Sequence, residues 1–256
     1  MGRYTMKSVS LNRLPIGSGL PKICIPIVAH TQEEVMKTAV QVVRSPADLV
    51  EWRLDFFDSL SPETVLETAT ELRQMLHGLP LLATFRSHRE GGQQQTDDSA
   101  GIRIYHCLMD RQLAEAVDLE LSQPADIRRS ILSLARQTDT KVVMSYHDFR
   151  RTPSQKTIEG ILGKMAAEQA DIAKIAVMPQ TPADVLRLLS ATVSARSRLN
   201  IPVVTMAMGP LGKLSRISGS LTGSAITFGI LDHASAPGQI EAGLLKNFLD
   251  ELTVDQ

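Results

Sequence analysis

The chain alternates short apolar segments with helical segments eight times, and this alternation restricts the folds open to it. The expected strands are Lys22–Val28, Asp48–Leu54, Pro80–Arg86, Ala116–Leu121, Lys141–Tyr146, the run around Lys174, Pro202–Ala207 and Ser224–Phe228. Strands that alternate with helices pair in parallel, and about 250 residues is the usual length of a closed eight-stranded barrel. The sequence therefore predicts an α/β fold: one (β/α)8 TIM barrel domain over residues 1–256, with a hairpin inside residues 1–21 capping the barrel.

Helix-start signals support this division. Ser61-Pro62 and Thr181-Pro182 each place a capping hydroxyl before a proline, and Ala236–Gln239 is expected to open the last helix. A doubly wound sheet is the main competitor, but it needs a glycine-rich phosphate turn after its first strand. His30-Thr31-Gln32 offers none, so the barrel is favoured.

Composition excludes several classes of protein. The 27 basic and 28 acidic side chains nearly balance, which gives no overall field for nucleic acid or an anionic membrane. Cys24 and Cys107 are too few for a disulfide framework and lack metal-ligand spacing. Residues 1–6 contain no apolar signal segment, and no run approaches the roughly 18 apolar residues of a membrane span. These features predict a soluble protein of the reducing cytoplasm.

Lys174 interrupts the apolar run Ile172–Val177. In a sheet covered on both faces an ammonium there would be poorly solvated. One interpretation is that the side chain reaches solvent from an edge strand or pairs with a carboxylate. The other is that burial favours the neutral amine, a nucleophile able to form a Schiff base with a ketone.

Other polar residues decide between these interpretations. Residues two apart share one face of a strand, and alternate faces of a barrel strand point inward. The polar residues that share the inward face near strand ends are Glu51, Arg53, Asp55, Thr84, Arg86, Asp118, Glu120, Ser145 and His147. A purely structural barrel would carry aliphatic residues there, and barrel enzymes keep their sites at this end. The pattern favours a functional Lys174 at the pocket floor, surrounded by cations that favour its neutral form.

His147 and Glu90 complete the expected chemistry. A strand-end histidine is often structural, but beside a Schiff-base lysine it is suited to general acid and base catalysis. Glu90 lies in the polar loop after the third strand, either as a solvated residue or as the carboxylate that orients the imidazole.

Seven ordered motifs resemble the type I 3-dehydroquinate dehydratases. They are Glu51-Trp52-Arg53-Leu54-Asp55, Thr84-Phe85-Arg86-Ser87 with Glu90-Gly91-Gly92, Asp118-Leu119-Glu120-Leu121, Ser145-Tyr146-His147-Asp148-Phe149, Lys174-Ile175-Ala176-Val177-Met178-Pro179, Ser215-Arg216, and Ser235-Ala236-Pro237-Gly238-Gln239. The resemblance covers the chain from about residue 20 to its C-terminus. It implies a barrel enzyme of the shikimate pathway, without metal or organic cofactor, that acts as a homodimer.

The resemblance also implies roles for single residues. Lys174 would form an imine with the C3 ketone of 3-dehydroquinate, His147 would move the protons, and Glu90 would align His147. Arg216 would bind the substrate carboxylate. The expected contacts to substrate hydroxyls are Glu51, Arg53, Arg86, Ser235 and Gln239. Syn elimination of water and hydrolysis would then release 3-dehydroshikimate, in aromatic biosynthesis or in quinate breakdown.

This chain departs from the family pattern in three places. Pro26 stands where a serine is usual, Tyr146 where asparagine is common, and Gly209-Pro210 where Ser-Lys is more usual. These changes affect the expected substrate contacts rather than the expected chemistry. Met206 and Met208 have the parity to line the pocket, although core packing explains them equally well.

Two other functions remain open from the sequence. One is a Schiff-base aldolase or lyase that acts on another sugar-like acid, which would also need a barrel lysine. The other is a catalytically silent sensor of shikimate-pathway metabolites, which has no need for both Lys174 and His147.

Overall fold

Two sheets occur in the residues described by the computed structural model, which are 8–94, 99–231 and 236–253. The smaller sheet is an antiparallel hairpin of β1 (Val9–Leu11) and β2 (Leu14–Ile16). The strands of the larger sheet are β3 (Lys22–Ile27), β4 (Leu49–Arg53), β5 (Leu81–Thr84), β6 (Ala116–Glu120), β7 (Lys141–Asp148), β8 (Ile172–Val177), β9 (Val203–Ala207), β10 (Ile226–Ile230) and β11 (Ile240–Glu241). The predicted hairpin and the predicted eight barrel strands are thus confirmed.

The larger sheet is parallel, and its strands from β3 to β9 pair in sequence order. β10 pairs with β3 through Ile226–Phe228, which brings the last barrel strand back to the first. The remaining gap, between β9 and β10, is closed by one bridge between Val203 and Ser224. The Ala225 amide donates to the Val203 carbonyl there at 2.8 Å. The strands therefore close into the predicted barrel.

Helices cover the outside of the barrel. They are α1 (Gln32–Val43), α2 (Pro62–Met75), α3 (Ser99–Asp110), α4 (Ala125–Gln137), α5 (Gln155–Ala167), α6 (Pro182–Arg198), α7 (Lys213–Ile217), α8 (Gly219–Thr222) and α9 (Ala242–Glu251). Local chemistry sets several starts: Ser61 caps α2 by accepting from the Thr64 amide, and Thr181 with Asp184 forms a capping box on α6. No helix in these described residues is long and apolar enough to cross a membrane.

Side-chain parity divides the apolar residues into two clusters. The larger cluster lies between strands and helices and includes Trp52 and Ile175. The smaller fills the barrel interior with residues such as Val143, Ile172 and Val204, and Leu11 and Ile16 of the hairpin close its bottom end. Polar residues replace this interior core toward the carboxyl ends of the strands, which places the charged side chains of the barrel interior at that end.

The last helix begins later than the sequence predicts. Ala236–Gln239 precedes the short strand β11, in which Ile240 pairs with Gly229 of β10, and α9 starts at Ala242. The cap is Glu241, whose carboxylate accepts from the amides of Gly243 and Leu244. Two ladder positions and an acidic cap therefore outweigh the helix-start signal of Pro237.

Candidate active site

A pocket that is partly open to solvent lies at the carboxyl ends of the barrel strands. Its lining residues are Glu51, Arg53, Arg86, Gly91, His147, Phe149, Lys174, Ala176, Met206, Met208, Arg216, Phe228, Ala236 and Gln239. Seven of the nine residues predicted for the site are in this set.

Lys174 is buried at the floor of the pocket, with 4% of its surface exposed. Its Nζ donates to Asp118 Oδ2 at 2.9 Å, lies 3.7 Å from Glu51 Oε1, and sits 4.7 Å above the centre of the Phe228 ring. The predicted surrounding of cations is therefore wrong for the nearest neighbours, which are two carboxylates and a ring face.

Asp118 connects Lys174 to the rest of the site. Its Oδ1 accepts from the Ser145 hydroxyl at 2.5 Å and lies 2.8 Å from Arg86 Nη2, while its Oδ2 faces Lys174. Burial alone would raise the pKa of Asp118, but the Arg86 guanidinium and the Lys174 ammonium lower it below its ordinary value. Asp118 is thus a carboxylate held between two buried cations.

His147 lies two residues nearer the pocket mouth than Lys174, since Ser145 pairs with Lys174 and His147 with Ala176. Glu90 contacts His147 twice: its Oε2 lies 2.9 Å from the imidazole Nδ1 and accepts from the His147 amide at 3.0 Å. Ser122 donates to the other oxygen of Glu90 at 2.6 Å. The ring of Phe149 stacks beside the imidazole, with centres 6.5 Å apart.

Burial shifts the pKa values of this pair in opposite directions. It lowers the pKa of His147 well below 6.5, helped by the cations Arg86 and Lys174. It raises the pKa of Glu90 to about 7, with a further contribution from the Glu120 carboxylate. The imidazole is therefore neutral at neutral pH and can accept a proton from a substrate.

Arg216 is a buried cation without a carboxylate partner among the residues described. Its guanidinium donates to the carbonyls of Phe228 at 3.4 Å and Pro237 at 3.1 Å, and its Nε has no hydrogen-bond partner among the described residues. Burial lowers the pKa of Arg216 to about 10. A guanidinium that faces a pocket in this condition is ready to bind an anion.

The opposite wall is held by paired charges. Arg53 donates to both oxygens of Asp55, at 2.8 and 2.7 Å, and its guanidinium lies 4.9 Å from the centre of the Phe56 ring. Arg86 donates to Glu120 and Ser145. Asp55 also accepts from the Gln93 amide at 3.2 Å, which ties the loop after β5 to this wall.

The other predicted residues divide as follows. Glu90 lies behind His147 rather than in the pocket lining, and the Gln239 carbonyl oxygen accepts from the Ala236 amide at 3.3 Å. Ser235 lies outside the described residues. Met206 and Met208 line the pocket, as their parity allowed. Sequence reasoning assigned no role to Phe149 or Phe228, although the inward parity of Phe228 on the eighth strand was a usable signal.

The three departures occupy defined positions. Pro26 is buried in β3, beyond the point where the ladder to β10 ends at Cys24. Tyr146 packs outward against the strand–helix core. Gly209 adopts a φ of 72°, and its amide donates to the Pro237 carbonyl at 3.1 Å. A Cβ on Gly238 would lie 2.2 Å from the Gly209 carbonyl oxygen, so this turn docks tightly on the segment that carries Gln239.

Comparison with known proteins agrees with this geometry. The family model of type I 3-dehydroquinase matches residues 23–256. A 3-dehydroquinate dehydratase of Shouchella clausii is 44% identical over 232 residues, which cover 90% of this chain and 91% of that protein. One of Enterococcus faecalis is 41% identical over 246 residues, covering 95% of this chain and 97% of that protein.

Solved structures give the same answer. The type I 3-dehydroquinate dehydratase of Clostridium difficile, crystallised with covalently modified comenic acid, superposes with a TM-score of 0.94 at 36% identity, covering 97% of this chain and 98% of that one. The 3-dehydroquinate dehydratase of Geobacillus kaustophilus gives a TM-score of 0.93 at 38% identity, covering 96% of each chain. On the matched sequence and the matched barrel, this chain belongs to the type I 3-dehydroquinase family.

Proposed function

We propose that this chain dehydrates 3-dehydroquinate to 3-dehydroshikimate in the shikimate pathway, through a Schiff base on Lys174. One observation carries the residue assignment: a buried lysine and a neutral histidine line the same pocket on neighbouring strands. Family membership favours this reaction over another Schiff-base aldolase and over a silent sensor, neither of which explains the matched family.

In the proposed reaction the Lys174 amine attacks the C3 ketone, and loss of water gives an iminium. The iminium draws electrons from the adjacent C2–H bond, so His147 can remove that proton. The electron pair then expels the C1 hydroxyl, which leaves as water with the proton from His147. Hydrolysis of the imine releases the product and restores the amine.

The charges of the pocket supply the proposed substrate contacts. Arg216 binds the substrate carboxylate, since it is buried and has no carboxylate partner in the part of the chain described. Glu51, Arg53, Arg86, Ser235 and Gln239 are the proposed contacts to hydroxyl groups. Glu90 aligns His147 by accepting its Nδ1–H, which leaves Nε2 free to act as the base.

An absorbance assay for the conjugated enone product, with 3-dehydroquinate as substrate, tests the proposed activity. Borohydride added during turnover should fix the mass of the ligand onto Lys174. Turnover without any adduct at Lys174 would exclude the imine mechanism while leaving the dehydratase activity in place.

We also propose one catalytic domain over residues 1–256, a cytoplasmic location and a homodimer. Two unpaired cysteines, Cys24 and Cys107, support a reducing compartment. Large apolar side chains are exposed on helices that contact one another, which supports self-association. They are Leu186 and Val193 of α6, Leu214 of α7, and Leu244 and Phe248 of α9.

A further inference from the structure

Asp118 lies against the nitrogen atom that would carry the substrate, yet none of the steps above uses it. Its side chain is fully buried, and its Oδ2 is 2.9 Å from Lys174 Nζ. The other oxygen is anchored by Ser145 and Arg86. Oδ2 therefore faces the lysine nitrogen, while the contacts of Oδ1 fix the position of the carboxylate.

The hydrogen bond to Lys174 can persist when the amine becomes an imine. A protonated imine keeps one N–H group and one positive charge on the same nitrogen, so Asp118 Oδ2 can accept from it as it does from the ammonium. Because Ser145 and Arg86 hold Oδ1, the carboxylate does not need to follow Lys174 to keep its position.

Protonation of the imine decides whether it can serve as an electron sink. A neutral imine draws electrons from the C2–H bond far less strongly than its protonated form. A fixed negative charge at hydrogen-bond distance in a buried pocket stabilises the protonated form. We propose that Asp118 is a further catalytic residue, whose carboxylate keeps the Lys174 iminium protonated during elimination.

This inference rests on the proposed imine mechanism and involves no proton transfer to Asp118. The low pKa of Asp118 agrees with this, because a carboxylate between Arg86 and Lys174 is a poor proton acceptor. The nitrogen keeps its N–H throughout, and it loses only its positive charge when the C2 electrons form the enamine. It is charged again once the C1 hydroxyl has left as water, and Asp118 remains anionic throughout.

Other charges also act on this nitrogen. They come from Glu51 on β4 and Arg86 after β5; the titratable but uncharged groups nearby are His147 on β7 and the thiol of Cys24 on β3, and β10 places the ring of Phe228 against the nitrogen. Asp118 is the nearest of them, and the distance from Nζ to Glu51 is 3.7 Å. Removing the charge of Asp118 should therefore have the largest effect of any carboxylate in the site.

The test uses Asp118→Asn in the full chain, with 3-dehydroquinate and cyanoborohydride, which reduces iminium ions but not neutral imines. The fraction trapped on Lys174 and the kcat are both measured against pH. As the pH rises, Asp118→Asn should lose trapping and kcat at a pH roughly one to three units lower than the parent protein does. At acid pH its losses should be smaller. At the alkaline edge of the parent profile, kcat should fall by about tenfold for each unit of this shift.

Glu120→Gln is the matched control. Glu120 is also a buried carboxylate of β6 that binds Arg86, but its remaining contacts are to Ser87 and Ser122. This variant should move the trapping profile much less than Asp118→Asn. If Asp118→Asn does not fold, Ser145→Ala serves instead, because it removes an anchor of Asp118 and leaves its charge. It should shift the profile in the same direction by a smaller amount.

Three results would overturn the inference. One is that the pH dependence of trapping in Asp118→Asn, or in Ser145→Ala in its place, is the same as in the parent protein. The second is loss of trapping at every pH in folded Asp118→Asn that still binds the substrate, since Asp118 would then be needed to form the imine. The third is absence of any adduct in the parent protein, which would remove the proposed imine mechanism as well and is thereby distinguished from the other two.

Discussion

The buried charged side chains of the pocket differ in their partners. Lys174 has two carboxylates beside it, Arg53 has Asp55, and Arg216 has only carbonyl oxygens in the described part of the chain. The parity of the strands revealed that these residues face inward. It could not reveal which charges meet, because that depends on side-chain length and direction across neighbouring strands. The predicted ring of cations around Lys174 failed for this reason.

The His147→Ala variant separates imine formation from elimination. It should still be trapped on Lys174 by borohydride, because the amine and its carboxylate neighbours are unchanged. Its turnover should fall by about 10²- to 10⁴-fold, since the proton-transfer group is missing. Mass spectrometry and the enone assay measure the two steps. Near-normal turnover would show that His147 is not the base.

Glu90→Gln should move the acid limb of kcat/KM to lower pH. Protonation of Glu90, with a pKa of about 7, places a donor against Nδ1 and so moves the imidazole proton to Nε2, where it blocks the base. Glutamine cannot titrate, so only the imidazole remains, and its lowered pKa keeps the base form present below pH 6.5. A limb that stays at the parent position in rate profiles would contradict this.

Arg216→Met should weaken substrate binding without weakening the fold. Loss of a charged hydrogen bond to the substrate carboxylate should raise KM by about 10- to 100-fold. Burial lowers the pKa of Arg216 to about 10, so below that pH the charged guanidinium destabilises the folded protein relative to the unfolded chain. The free energy of unfolding, measured without substrate in urea, should therefore not decrease.

Arg53→Met is the contrasting variant. It leaves the fully buried Asp55 without its guanidinium, and breaking such a pair should cost roughly 3 kcal/mol of stability. Equal stability losses in the two variants would mean that the missing carboxylate at Arg216 has no energetic consequence.

The elements that carry the site depend on backbone positions where a side chain does not fit. Gly91 follows the short turn that ends at Glu90, with a φ of 86°, and a Cβ there would lie 2.5 Å from the Phe149 ring. Phe149 in turn stacks beside His147. The conformation of one glycine thus fixes both the carboxylate behind the imidazole and the ring beside it.

Gly91→Ala should therefore reduce both stability and rate. Backbone strain and displacement of Phe149 should cost about 1 kcal/mol or more, and a shifted Glu90 should lower kcat by about tenfold or more. Gly160→Ala is the control, because Gly160 lies within α5 and a Cβ there meets nothing within 4 Å. It should stabilise the protein by about 0.5 to 1 kcal/mol in urea unfolding and leave kcat unchanged.

Sequence signals located most elements because local chemistry and tertiary packing agree. Thr181-Pro182 starts α6 as predicted, and the hairpin lies inside residues 1–21. The predicted start of α9 was wrong because the preceding strand β11 forms by pairing with β10, a contact that no local sequence pattern shows. Pro26 is tolerated within a barrel strand because the β3–β10 ladder ends at Cys24, before the missing amide is needed.

At the scale of the whole molecule, the proposed homodimer makes the exposed apolar side chains of α6, α7 and α9 an interface. Leu214→Glu should place a charge in that surface and shift the protein toward monomers as concentration falls. Thr70→Glu, on the exposed face of α2, is the control and should leave assembly unchanged. Sedimentation equilibrium measures both. A parent protein that is monomeric at all concentrations would refute the proposal.

Strand pairing is uneven around the barrel. Its other neighbouring barrel strands share ladders of three to six residue pairs, whereas β9 and β10 meet at a single bridge beside Ser224. Local opening of the barrel should therefore cost the least free energy between β9 and β10. Phe228 and the carbonyl that receives Arg216 lie on β10, while Lys174 lies on β8, within continuous pairing. We therefore expect the side of the pocket proposed to bind the substrate carboxylate to adjust more easily when substrate enters than the strand that carries Lys174.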